Sequence, residues 1–124
     1  MNLAGGGALM AFRIRDRQGR TYWAGGSLRD AAGRVRILGP GEVSFAPLRR
    51  WRSPRSGADY PVAMRLRAGG LDLDLEPLMD DQELDARAST GTIYWEGAVR
   101  AHAAGKPQGQ GYLELTGYWK PLKL

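Results

Sequence analysis

The chain has no cysteine and a single histidine, His102. The first absence excludes disulfides, thiolate zinc sites and cysteine nucleophiles. The second argues against a histidine-rich metal centre or a serine–histidine triad, and no metal site or cofactor is expected. No apolar run approaches the ~20 residues that a membrane-spanning helix needs. Met1 to Gly7 carry no basic stretch and no apolar segment of signal-peptide length, which leaves the compartment unknown. What is plentiful is glycine, 18 of 124 residues, accompanied by 7 prolines. Such punctuation points to many turns and short strands rather than to long helices. With 43% hydrophobic and 25% charged residues, the chain is too apolar for disorder and fits one folded domain over residues 1–124.

The net charge is +5, and the cations are mostly arginine, fifteen against three lysines. Arg13, Arg15, Arg17 and Arg20 cluster early, and Arg49, Arg50, Arg52 and Arg55 surround Trp51. Carboxylates dominate from Asp72 to Asp85. Clusters of both signs can neutralise one another within a fold, so a nucleic-acid partner is not the preferred reading.

Alternation supplies the local structure. Ala8, Met10, Phe12 and Ile14 share one face of a strand, with Leu9, Ala11, Arg13 and Arg15 on the other. Asp16–Gly19 and Arg29–Gly33 read as turns, and Gly25-Gly26 reads as a bulge or sharp bend within a strand from Tyr22 to Leu28. Short strands follow at Val35–Ile37 and from Val43. The segment Tyr60–Pro77 predicts a hairpin about a two-residue turn at Gly69-Gly70. Its register sets Arg67 opposite Asp72, Arg65 opposite Asp74, Leu66 opposite Leu73 and Met64 opposite Leu75. Asp80–Arg87 reads as helical or as an extended loop, and Ile93–Ala101 and Gly111–Trp119 as the last strands. About eight short antiparallel strands in sequence predict an all-β, lipocalin-like barrel or half-barrel, with room for one small ligand.

Three clusters carry candidate chemistry. In the loop Arg49–Gly57, Trp51 and Arg55 can stack on and clamp a ligand at a barrel rim; the plainer alternative pairs its arginines with the acidic Asp80–Asp85 stretch. Tyr94 and Glu96 share a strand face opposite Trp95, and Tyr112, Glu114 and Thr116 share a face opposite Leu113 and Leu115. If those faces line an interior, Glu96 becomes a general acid, since desolvation disfavours the charged carboxylate. Otherwise the glutamates face solvent or bind an arginine such as Arg65. His102 reads as a solvated loop residue.

Several segments occur in an order that resembles a known family. They are Ala8–Asp16, Gly26–Asp30, Arg50–Ala58 with Tyr60-Pro-Val62, Asp81–Asp85, Ser89-Thr-Gly91, Tyr94–Val99 and Gly111–Tyr118. Together they resemble the carboxy-terminal half of AttH-like proteins and carotenoid hydratases (hydroxyneurosporene synthases), from about Ala8 to Trp119. The resemblance implies a lipocalin-like barrel, the second of two in longer and often exported members. It also implies a hydrophobic, isoprenoid-like ligand, and water addition to a terminal carbon–carbon double bond without a redox cofactor. Other members carry only a secreted-hydrolase description, which fixes no substrate. The site residues expected on this reading are Glu96 as acid, with Tyr94, Trp95, Tyr112, Glu114, Trp51 and Arg55 around the ligand.

Longer members place a His-x-Trp segment and a Trp-rich strand before the Leu-Met-x-Phe strand, and this chain begins after that point. The expectation is a barrel incomplete at its N-terminus. The competing function is then a non-catalytic interaction domain that packs against an N-terminal barrel or a second copy. An edge bared beside Met10, Phe12 and Ile14 predicts self-association.

Overall fold

A computed structural model describes residues 1–122 of the chain. Ten strands follow one another as β1 (Asn2–Leu3), β2 (Gly7–Arg15), β3 (Thr21–Arg29), β4 (Val35–Leu38), β5 (Val43–Arg52), β6 (Asp59–Ala68), β7 (Leu71–Pro77), β8 (Glu83–Ala86), β9 (Thr92–Ala103) and β10 (Lys106–Leu115). The only helical element among the described residues is a single 3-10 turn, Pro40–Glu42, between β4 and β5.

The β6–β7 hairpin has the register that its alternation dictates: Arg67 faces Asp72, Leu66 faces Leu73, Arg65 faces Asp74 and Met64 faces Leu75. Gly69 and Gly70 both take positive φ, at 56° and 89°, which a two-residue turn with the native strand twist requires. Leu66, Leu73, Met64 and Leu75 are buried, while Arg65 donates to Asp74 at 2.9 Å on the other face.

All ten strands form one antiparallel sheet in the order β4-β3-β2-β1-β10-β9-β7-β6-β5, with β8 added beside the far half of β9. The sheet curls until its two ends meet. Its inner face holds Leu9, Tyr60, Val62, Met64, Leu66, Leu73, Leu75, Trp95, Val99, Leu113 and Leu115, and Trp95 and Tyr60 are wholly buried. Of the barrel or half-barrel expected, the structure shows the open form: β4 and β5 share no ladder. Side chains close the seam instead. Arg36 of β4 pairs with Glu42 at 2.7 Å, just before β5, and donates to Gly69 O at 2.8 Å.

Other expectations are corrected in detail. The count rises from about eight to ten because β1 has two residues and β8 four, too few to show alternation. The stretch Asp80–Arg87 is extended, with β8 inside it. Gly25 and Gly26 lie in an unbroken part of β3, opposite Phe12 and Ala11; the register shift falls nearer the turn, between Ile14 and Arg15. Their lack of a side chain serves close approach, since a Cβ on Gly26 would collide with Met10 O and one on Gly25 would press on the Phe12 ring. The last strand ends at Leu115, not Trp119, and His102 lies within β9, opposite Asp74 and Pro107.

Candidate functional site

One end of the rolled sheet carries a polar cluster set into the core. The segment after β7 leaves the sheet at Leu78, whose N–H donates to Ala98 O at 3.0 Å, and rejoins it at Gln82, whose carbonyl accepts from Glu96 N–H at 3.2 Å. Between these points the Gln82 side chain replaces a backbone rung. Its amide donates to Ala98 O at 3.3 Å and to Met79 O at 3.0 Å, and its oxygen accepts from Ala98 N–H at 3.1 Å. Gly97 makes room, since a Cβ there would overlap the Gln82 amide. The Trp95 indole N–H holds the same segment from inside, donating to Asp80 O at 2.7 Å.

This anchoring directs Glu83 inward from β8. Its carboxylate, with only 3% of the side chain exposed, accepts from Ser53 Oγ and Ser56 Oγ at 2.6 Å each and from Tyr60 OH at 2.8 Å. Arg55 lies 3.5 Å away and makes its own two-pronged pair with Asp81. Burial pushes the Glu83 carboxyl up, but the three hydroxyl bonds and the Arg55 charge outweigh it and hold it below the usual glutamate value. Burial first, then the bond to Glu83, raises the Tyr60 phenol well above its ordinary value. Trp51 stacks on Tyr60 at 6.2 Å, Tyr118 tilts against its other side, and the Arg15 guanidinium lies 3.7 Å over the Tyr118 ring.

The cluster joins the arginine loop to the acidic stretch, as the plainer sequence reading expects. Arg49 completes the junction by pairing with Glu76 and Asp80. With three hydroxyls donating to it and Arg55 beside it, Glu83 is a tie between elements rather than a free acid. Sequence reasoning passed over it; the available signal was a Ser-x-x-Ser turn followed by an inward Tyr60, three hydroxyl donors that need an acceptor.

The residues singled out from the sequence divide among three places. Trp95 is core. Trp51 and Arg55 belong to the Glu83 cluster. Tyr94, Glu96, Tyr112 and Glu114 lie together on the outer face, where Glu114 and Glu96 are directly opposite in the β10–β9 register. The expectation that this face lines an interior is thus corrected: alternation in β9 sends Trp95, Gly97 and Val99 to the core and leaves Glu96 half-buried outside. Thr116 Oγ1 donates to Glu114 at 2.9 Å, and among the described residues no cation lies within ion-pair distance of either glutamate. Burial first, then the charges of Glu96 and Glu114, raises the Tyr94 phenol.

The same outer face is apolar on the far side of β1. Met10, Phe12 and Ile14 of β2, Trp23 of β3 and Val35 and Ile37 of β4 all point away from the core, and Trp23 is 52% and Ile37 75% exposed. Contiguous exposed apolar surface of this kind marks interaction sites or ligand grooves. Among the described residues no group of three or more His, Asp or Glu side chains is placed to hold a metal ion, and no helix is long and apolar enough to cross a membrane.

An open, rolled antiparallel sheet with a filled inner face is a lipocalin-like architecture. The chain belongs to the AttH-like family, whose model matches residues 1–118. The crystal structure of a Nitrosomonas europaea protein assigned to AttH superposes with a TM-score of 0.89 at 55% identity, over 94% of this chain and 37% of that one. Kievitone hydratase of Nectria haematococca shares the fold at a TM-score of 0.67 and 22% identity, again over 94% of this chain and 37% of that one. The chain therefore spans a little over a third of the length of each. No curated protein matches it.

Proposed function

We propose that the chain binds a hydrophobic, isoprenoid-like molecule on its outer face and takes part in hydratase-type chemistry, water addition to a carbon–carbon double bond without a cofactor. The observation that carries this reading is the side-by-side placement, on one face, of the apolar Met10–Phe12–Ile14–Trp23 strip and the facing carboxyls Glu96 and Glu114 between two tyrosines. Family membership and a hydratase of the same fold support it. Glu96 is the group placed to give a proton to the terminal alkene carbon, and the tertiary cation takes up water. The water's surplus proton goes to the Glu114 carboxylate, and proton exchange between the facing carboxyls restores the pair. Glu96→Gln keeps the shape but has no proton to give. It should retain affinity for a lycopene-like carotenoid, read by tryptophan quenching, while hydration falls at least a hundredfold. Unchanged hydration, or lost stability with unchanged affinity, removes Glu96 from the site.

A second reading rests on length. Since the chain spans 37% of each structural relative, the same apolar face fits an interaction domain that packs against another domain or a second copy. Sedimentation separates the two readings: a monomer at high concentration that still binds carotenoid favours the first, and a dimer whose formation abolishes binding favours the second.

A further inference from the structure

The acids on the outer face of β7 are spent in one direction. Asp74 lies opposite Arg65 of β6 on one side and His102 of β9 on the other, and Arg65 takes it at 2.9 Å. Glu76 lies opposite Arg100 of β9, yet it pairs with Arg49, which reaches over from β5. Val99 and Ala101 are buried, so alternation turns Arg100 and His102 outward together. Arg100 is left exposed, and among the described residues no carboxylate lies within ion-pair distance of it.

On the side away from β7 the sheet is hollowed. The β9–β10 register slips between Pro107 and Gly109, a bulge at Gln108, and bulges re-aim the side chains around them. Beyond the slip, Gln110 lies opposite Arg100 on one side and Asn2 of β1 on the other, so all three share the outer face. Gly109 lets β1 come close, since a Cβ there would collide with Asn2 O. The result is a hollow of about 560 Å³ walled by Arg100, His102, Gln110 and Asn2, with Leu3 and Pro107 in its apolar part. Small-molecule sites occupy roughly 300–1,000 Å³ and combine an apolar wall with a few convergent polar groups, as this one does.

We propose that this hollow binds a small organic acid, its carboxylate on the Arg100 guanidinium and its apolar body against Leu3 and Pro107. Arg100 offers a planar fork that matches the two oxygens of a carboxylate. A ring N–H of His102 and the side-chain amides of Gln110 and Asn2 supply further donors from three adjacent strands. The charge of the guest is set by what stands behind the site. Asp74 and Glu76 lie one strand away, so a single negative charge is favoured and a phosphate dianion is repelled. The hollow shares no residue with the face that takes the isoprenoid-like molecule, and each reading can fail without the other.

The test titrates the unaltered chain with benzoate, benzamide and phenyl phosphate, followed by backbone amide shifts in NMR. Benzoate should give saturable shifts centred on Arg100, His102, Gly109 and Gln110. Neutral benzamide, which keeps the shape, should bind at least tenfold more weakly, and phenyl phosphate less tightly than benzoate. Arg100→Gln should weaken benzoate about tenfold with Tm unchanged, because that exposed side chain holds no carboxylate in the fold. Shifts that fail to saturate, or that spread equally to the exposed Arg17 and Arg29, overturn the proposal as plain charge adsorption. So do equal affinities for benzoate and benzamide, tighter binding of phenyl phosphate, or benzoate affinity unchanged in Arg100→Gln.

Discussion

At the scale of single residues, Glu83 ties three hydroxyls and a guanidinium from one loop to a strand far away in sequence. Glu83→Ala leaves Ser53, Ser56 and Tyr60 without their acceptor in a buried place, a loss of about 1–3 kcal/mol for each hydroxyl left unsatisfied. A fall in Tm on the order of 10 °C is the expected result, measured by thermal unfolding. The pH dependence has a definite sign. A carboxyl held below the ordinary value of 4.5 stabilises the fold above that pH, and the contribution is lost as the pH falls through the lower folded value. Unmodified protein should therefore lose stability on acidification below pH 4.5 more steeply than Glu83→Ala. At the alkaline end the raised Tyr60 phenol keeps its proton in the fold, so stability falls once the pH passes the ordinary tyrosine value of 10. Glu83 was invisible to sequence reading because its acceptor role exists only once the Ser53–Ser56 turn is folded against it. Glu96 was visible as a residue, but alternation divides a strand into two faces without saying which faces the core.

At the scale of elements, legibility followed turn chemistry. Two glycines at positive φ fix the β6–β7 register outright, so every pair in that hairpin could be read. β8 offered nothing comparable: it joins β9 through four backbone pairs and then through the Gln82 amide, and no local pattern announces a side chain acting as a rung. Gln82→Ala should unpair Ala98 N–H at a cost of about 1–3 kcal/mol. Hydrogen exchange at Ala98 and across β8 should quicken while the β6–β7 pairs remain protected; equal quickening throughout would assign Gln82 a global role instead. The two outer strands of the sheet are guarded by ordinary means. β4 is only four residues long, and β5 carries Pro47, two register shifts and three arginines, all of which discourage further pairing.

At the scale of the whole molecule, the all-β class and the antiparallel order followed from glycine-rich punctuation and short alternating runs. The choice between barrel and half-barrel stayed open, because closure depends on whether the first and last strands to meet share a ladder, a question of curvature rather than of residue pattern. The arginine excess proves largely internal: Arg36, Arg49, Arg50, Arg55, Arg65 and Arg87 all sit within 3 Å of a carboxylate oxygen.

The seam at Arg36 makes the girth of the molecule a property of the solution around it. A ladder would hold the circumference against any buffer, but an exposed ion pair weakens once the Debye length shrinks to about 3 Å at 1 M salt. The inner packing of Trp95, Tyr60 and Met64 does not share that sensitivity. Concentrated salt should therefore loosen the β4–β5 join alone, raising exchange along β4 while the core amides stay slow. Arg36→Gln should reproduce that loosening at low salt and abolish its further response. The fold behaves as a split ring with a spring of charge across the split.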